Sequence, residues 1–390
     1  MNKKSQASAI VIFAILCLCY MVPNYAQYQV SPLGSQVIAQ YDLQLAQLSS
    51  LFSAPMIPAI FLSLAGGLLL DKLGTKPVIA VSLLVTAVGC IGRIFCASYM
   101  PLFLCTMLTG LSACFINAGS GKIVGSLFPA DQVSGKMGIL MAASTAAMTI
   151  ANFTSAYFPS IRSAFTVSAG FSVIMFILWV LFVPVEKSVE CRSDEPSLSK
   201  CLGVALRNTN VWLISLAMFF IMAANVIISS YLPTALGENG MSATTAGYIA
   251  ACYTIGNFAG CLIAPVIIAK LRSQKKTLIL FGILGAIGAA FAWMIPLTIL
   301  LAAGMLMTGI CFGGMIPVLL ALPVQLPEIG PTYAGTAGGI IGTIQLLGAV
   351  LLPSYVLTPI AGDNFHLLFI LGGVCMLAAG ALTAGLRRIQ

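Results

Sequence analysis

Apolar residues in this chain come in long unbroken runs. Twelve stand out, at roughly 8–30, 44–70, 77–98, 101–126, 135–158, 163–184, 210–233, 243–269, 277–296, 298–325, 331–357 and 364–386. Each is long enough to cross a bilayer as a helix, which takes about 20 mostly apolar residues. A β-barrel would instead show segments of about ten residues that alternate apolar and polar. The most polar stretch is 186–209, with Glu186, Lys187, Glu190, Arg192, Asp194, Glu195, Lys200 and Arg207. It separates six runs from six. The pattern predicts an all-α polytopic membrane protein with an N-terminal six-helix bundle at 1–185, a cytoplasmic central loop at 186–209 and a C-terminal six-helix bundle at 210–390. The first run follows Lys3 and Lys4, as a signal peptide would. It is too long for one and lacks a small-residue cleavage site, so it is expected to be span 1.

The two halves echo each other at an offset near 198. LLLDKLGTK (68–76) follows span 2 and VIIAKLRSQ (266–274) follows span 8; Pro129 matches Pro327, and Asn24 lies at a depth similar to Asn225. Related six-helix halves are a transporter architecture, in which a substrate is expected between them near the midplane.

Composition narrows the class. Of 390 residues, 59% are hydrophobic and 7% charged, with a mean hydropathy of +1.04. A soluble domain averages about 25% charged residues, so a soluble enzyme, a nucleic-acid binder and a disordered chain are all excluded. The net charge of +8 then sets orientation. With the N-terminus inside, the cytoplasmic side holds Lys3, Lys4, Lys72, Lys76, Lys122, Lys136, Lys187, Arg192, Lys200, Arg207, Lys270, Arg272, Lys275, Lys276, Arg387 and Arg388, which is 16 of the 18 basic residues. Only Arg93 and Arg162 fall outside. By the positive-inside bias both termini are expected to be cytoplasmic, in a multi-pass plasma-membrane protein such as one of a bacterial inner membrane.

The candidate chemistry is sparse. Ten of the twelve cysteines lie in the runs, where Cys packs as a small hydrophobe. There is no CxxC pair and no His/Cys cluster, so no metal or other cofactor is expected; the one histidine, His366, is expected to pack at the interface. No nucleophile with an acid–base partner suggests an enzyme. The ten acids are Asp42, Asp71, Asp131, Glu186, Glu190, Asp194, Glu195, Glu238, Glu328 and Asp363, all in loops or at helix ends. A charge at the bilayer centre costs roughly 2.5–3.5 kcal/mol on insertion scales, so acids there are kept only for a purpose. Their absence argues against a cationic solute and a carboxylate proton relay. Arg93 and Lys122 are the deeper cations: each either attracts an anion or snorkels to a headgroup.

Polar side chains form stripes, since residues i, i+4 and i+8 share a helix face. Tyr20, Asn24 and Tyr28 do so on span 1 and Asn117 with Gly121 on span 4. Asn225 and Ser229 do so on span 7 and Tyr253 with Asn257 on span 8, while Gln345 stands alone on span 11. Such groups need partners in lipid, so these faces are expected to point inward, either along a substrate pathway or into interhelical hydrogen bonds. Glycine pairs at 256/260, 338/342 and 121/125 allow close backbone approach.

Residues 67–76, GLLLDKLGTK, resemble the loop 2–3 signature of the major facilitator superfamily, through Gly67, Leu69, Asp71, Lys72, Gly74 and Lys76; Thr75 departs from it. The resemblance implies the twelve-helix major facilitator fold, a monomer in the lipid bilayer, and a gating contact between Asp71 and the start of span 11 near residues 331–335. Physically, Asp71 ends a helix whose dipole disfavours an anion, so it needs such a partner. The helix-4 Arg of the drug–proton antiporter branch is missing; Thr106 stands four residues before Gly110. NAGSGKIVGSLFP (117–129), YLPTALGENGMSATTAGYI (231–249), GGMIP (313–317) and AGTAGGIIGTIQLLG (334–348) resemble the cyanate-permease-like and nitrate/nitrite-porter-like branches. That implies a secondary active or facilitated transporter of a small organic or inorganic anion, working by alternating access. An exporter of neutral or amphipathic compounds is the alternative; a non-transporting membrane sensor or scaffold is another.

Overall fold

The computed structural model describes residues 3–183, 198–326 and 328–386. Among them there is helix but no strand. Twelve helices are long and apolar enough to cross a membrane: spans 1–6 at Ala9–Tyr28, Leu45–Leu62, Thr75–Phe95, Tyr99–Ser120, Lys136–Tyr157 and Ile161–Phe182, and spans 7–12 at Thr209–Glu238, Ala243–Leu271, Gln274–Met294, Thr298–Pro323, Thr336–Ala361 and Phe365–Ala384. The chain divides into two compact units, Met1–Leu43 with Leu51–Cys191, and Gln44–Ser50 with Arg192–Gln390.

Three spans carry interruptions that hydropathy alone does not show. Span 2 holds a 3-10 turn at Ala54–Met56 with Pro55 in its first positions. Proline has no N–H to give and clashes with the preceding helical turn. Span 4 pauses at Gly110, where a Cβ would run into the Pro55 carbonyl. The two breaks therefore fit each other. Span 11 carries a π-helical turn, Pro353–Leu357, before its last residues Thr358–Ala361. Two short helices lie outside the spans: Gly34–Tyr41, closed by Asp42 in a left-handed conformation, and Leu198–Arg207 in the central loop. The loop's other residues at 184–197 lie outside the described ones.

The core of the first unit gathers Phe13, Leu16, Ile79, Leu83, Ile116 and Trp179. The Trp179 indole, fully buried, donates to the Lys76 carbonyl at 3.1 Å. At one rim the Lys136 ammonium sits 4.7 Å from the Phe128 ring centroid. In the second unit spans 8 and 10 touch along glycines. A Cβ at Gly256 would strike the Leu306 carbonyl, one at Gly260 the Ile310 carbonyl, one at Gly309 the Tyr253 carbonyl and one at Gly313 the Asn257 carbonyl. Residues 44–50 join this unit through hydrogen bonds: Tyr231 Oη donates to the Leu45 carbonyl at 2.6 Å, and Ser354 meets Ser49 at 3.1 Å.

Candidate functional site

In the first unit the stripe of span 1 divides. Tyr20 Oη donates to Asn117 Oδ1 at 2.6 Å and also bonds Ser144, tying spans 1, 4 and 5 together. Tyr20 is buried, whereas Asn117 is exposed. With its Oδ1 engaged by the phenol, Asn117 keeps its amide N–H₂ as a pair of donors. Asn24 donates back to the Tyr20 carbonyl at 2.8 Å. Tyr28 is buried with its ring 5.1 Å from that of Phe52, in edge contact. Thr145 and Thr149 bond to carbonyls of their own helix. Asn152 is 2% exposed, and its Oδ1 has no hydrogen-bond partner among the described residues.

Arg93 is fully buried and does not snorkel. Its guanidinium donates to the Ala26 carbonyl at 2.9 Å, to Ser168 Oγ at 3.1 Å and to Gln29 Oε1 at 3.3 Å. It lies 4.2 Å from the centre of the Phe165 ring, and its Nε has no partner among the described residues. Ala26 belongs to the last turn of the helix that ends at Tyr28. Carbonyls there lack helical partners and carry the negative end of the dipole. Arg93 thus meets a partial negative charge and a ring face rather than a carboxylate. Buried guanidinium in this form holds spans 1, 3 and 6 together.

In the second unit Ser229 Oγ donates to Asn225 Oδ1 at 3.2 Å. Asn225 is half-buried while its neighbours 223, 224, 226 and 227 are buried. The hydroxyl-on-carbonyl arrangement repeats that of Tyr20 and Asn117, and again engages the amide oxygen and not the N–H₂. The Tyr253 ring lies 6.0 Å from Phe312, in edge contact. Asn257 is half-buried, and its backbone abuts Gly313. Gln345 is half-buried, and its Oε1 has no partner among the described residues. Near it, a Cβ added at Gly338 or Gly342 would meet nothing within 4 Å. Those two glycines face open space, unlike Gly256 and Gly260.

The structure describes the turn of the GLLLDKLGTK motif only in part. Gly74 has φ of 85° between the two helices, a conformation that favours glycine. Lys76 is half-buried. Gly67, Asp71, Lys72 and Lys122, and the start of span 11 at 331–335, have side chains outside the described residues. Among the described residues no group of three His, Cys, Asp or Glu could hold a metal ion. The His366 ring lies 4.9 Å from Trp293.

Sequence reasoning missed the acceptor set around Arg93, because its partners stand 64, 67 and 75 residues away along the chain. The signal within reach was Gln29, a polar residue just past a helix end. It also missed a pair of thiols: Cys96 and Cys105 lie with their sulfurs 3.8 Å apart.

A family model described as Major Facilitator Superfamily matches residues 9–353. Among curated proteins, the cyanate transport protein CynX of Escherichia coli is 23% identical over 352 residues, covering 88% of this chain and 90% of that protein. An uncharacterised protein of Archaeoglobus fulgidus is 24% identical over 187 residues, covering 47% of this chain and 83% of that one. Among solved structures, a mutant of the nucleoside transporter NupG superposes with a TM-score of 0.80 at 14% identity, over 96% of this chain and 99% of that one. A bacterial homologue of the human lysosomal transporter Spinster, inward-facing and unoccupied, gives 0.72 at 13% identity, over 98% of this chain and 95% of that one. At such identities these likenesses show the fold.

Proposed function

The chain belongs to the major facilitator superfamily and is a membrane transporter rather than an enzyme, and from that premise we propose that it moves a small organic or inorganic anion by alternating access. One observation carries the reading. Each unit presents an asparagine whose Oδ1 is occupied by a hydroxyl, Asn117 by Tyr20 and Asn225 by Ser229. What the hydroxyl does not engage on either is the amide N–H₂, a pair of N–H donors. Such donors suit a solute rich in lone pairs, and an anion most of all, because hydrogen bonds to a charged group are the stronger ones. Among the described residues the spans hold no carboxylate before the terminal Glu238, which favours an anion over a cation there. The named cyanate transporter among the relatives handles a solute of this kind.

Proteoliposome uptake of labelled cyanate and small carboxylates tests this. Asn117→Ala and Asn225→Ala should each raise KM about tenfold or more, since a hydrogen bond to a charged group contributes about 1.5–3 kcal/mol. Uptake of cations alone would overturn the reading. A second reading, transport of a neutral polar solute, draws on the same amides, which also serve uncharged carbonyls; the nucleoside transporter shares the fold. Uptake of nucleosides with no uptake of anions would select it.

A further inference from the structure

Cys96 directly follows span 3, and Cys105 lies in the first turns of span 4. Their sulfurs are 3.8 Å apart, both side chains are half-buried, and both thiols are free. Three features hold them together. Gly89 and Gly92 let the two helices close: a Cβ at Gly89 would lie 2.6 Å from the Cys105 carbonyl, and one at Gly92 2.6 Å from the Cys105 sulfur. The Cys96 thiol leans along its own helix toward the Gly92 carbonyl, at 3.2 Å. Tyr41 Oη donates to the Cys96 carbonyl at 3.3 Å, which anchors the turn. Burial raises the Tyr41 phenol above its ordinary value, with Cys96 adding to the shift and Arg162 and Arg93 opposing it, so it stays a donor at neutral pH.

We propose that Cys96 and Cys105 form a reversible dithiol–disulfide site that clips span 3 to span 4. A disulfide needs its sulfurs at about 2.05 Å, with Cβ atoms about 3.5–4.5 Å apart. Closing the 3.8 Å gap asks for rotation of the two side chains, which already meet beside Gly92, one turn before Cys96. The oxidant is a small-molecule disulfide. One cysteine thiol loses its proton and attacks that disulfide, releasing one thiol and leaving a mixed disulfide. The second cysteine then loses its proton and displaces the other thiol. Two S–H bonds break and one S–S bond forms in the protein; the small disulfide takes up the two electrons and two protons. With both termini cytoplasmic, as the charge distribution leads one to expect, this turn lies on the outer side, where disulfides persist.

The experiment treats the full-length protein in detergent with oxidised glutathione, alkylates the remaining thiols, and maps the peptides by mass spectrometry. The expected result is a Cys96–Cys105 bond with a mass loss of about 2 Da, reversed by dithiothreitol and absent in Cys96→Ser. Closure of so short a loop should raise Tm by about 2–4 °C. Anion uptake should not change, since both helices belong to one unit. The proposal is overturned if both thiols stay alkylatable under oxidation, or if Cys96 carries only glutathione. It is also overturned if either cysteine pairs elsewhere. The wild-type protein alone decides between these outcomes, so a poorly folding variant does not blunt the test.

Discussion

A guanidinium enclosed by protein with no carboxylate beside it must be held by dipoles, and Arg93 shows how. The carbonyl at the end of the first helix, a glutamine oxygen, a serine oxygen and the Phe165 ring share its charge. Its planar fork reaches three acceptors at once, on two other helices and on the turn that follows the first of them. A lysine ammonium is a point charge and cannot span that set. Arg93→Ala leaves the Ala26 and Gln29 oxygens buried and unpaired, whereas Ser168 keeps its bond to the Phe165 carbonyl, so it should destabilise the protein by about 2–6 kcal/mol, at roughly 1–3 kcal/mol per orphaned group. Arg93→Lys should recover less than half of the loss. Denaturation in detergent followed by intrinsic fluorescence measures both. A fully stable Arg93→Ala protein would show that the cluster holds nothing together. The same scale limits what the sequence could reveal of the site. Spacing placed Tyr20, Asn24 and Tyr28 on one helix face. It carried no signal that Tyr20 would seek Asn117 on span 4 while Tyr28 packed on Phe52 of span 2. Partners across spans are set by helix packing, which a single sequence does not encode in any local pattern.

Glycine pairs at the same spacing do two different things among the helices. On spans 8 and 10, Gly256, Gly260, Gly309 and Gly313 sit where any Cβ would strike a facing carbonyl, so the two backbones are in direct contact. On span 11, Gly338 and Gly342 face open space. Their substitution by alanine should therefore have opposite signs. Gly309→Ala forces the helices apart and should cost about 1–3 kcal/mol, as overpacking does. Gly338→Ala meets nothing and gains helix propensity, which is worth up to about 1 kcal/mol. Melting temperatures of the two purified variants check this; equal losses at both positions would mean that the spacing alone matters. The twelve spans were legible in the sequence because length and apolarity are local properties. The breaks in spans 2 and 4 were not. Pro55 was visible, but a proline inside a membrane helix does not say whether the chain bends, continues or changes winding. Pro233 and Pro265 lie inside unbroken helices, and Pro55 opens a 3-10 turn against Gly110.

For the molecule as a whole, scarcity of charge says membrane and placement of charge says which way round. The described turns at 96–98 and 158–160 carry no lysine, and Arg93 beside the first is folded into the protein rather than offered to solvent. The turn at 272–273 is flanked by Lys270, Arg272, Lys275 and Lys276. Lys275 Nζ also reaches the Leu386 carbonyl at 3.3 Å, which fixes part of that charge at the end of span 12. Basic residues next to span ends are retained on the cytoplasmic side during insertion. Cysteines placed at exposed Ser160 and at the Ser273 turn should accordingly behave in opposite ways in whole cells. Ser160→Cys should react with a membrane-impermeant maleimide added outside, and Ser273→Cys only after the membrane is opened, each measured against the wild-type background. The reverse order would invert the orientation and move the Cys96–Cys105 turn to the reducing side. The thiol chemistry would still be available there in vitro, but the clip would not persist in the cell. Labelling of both cysteines from outside would instead break the count of spans between residues 160 and 273, because sites separated by three spans must lie on opposite sides.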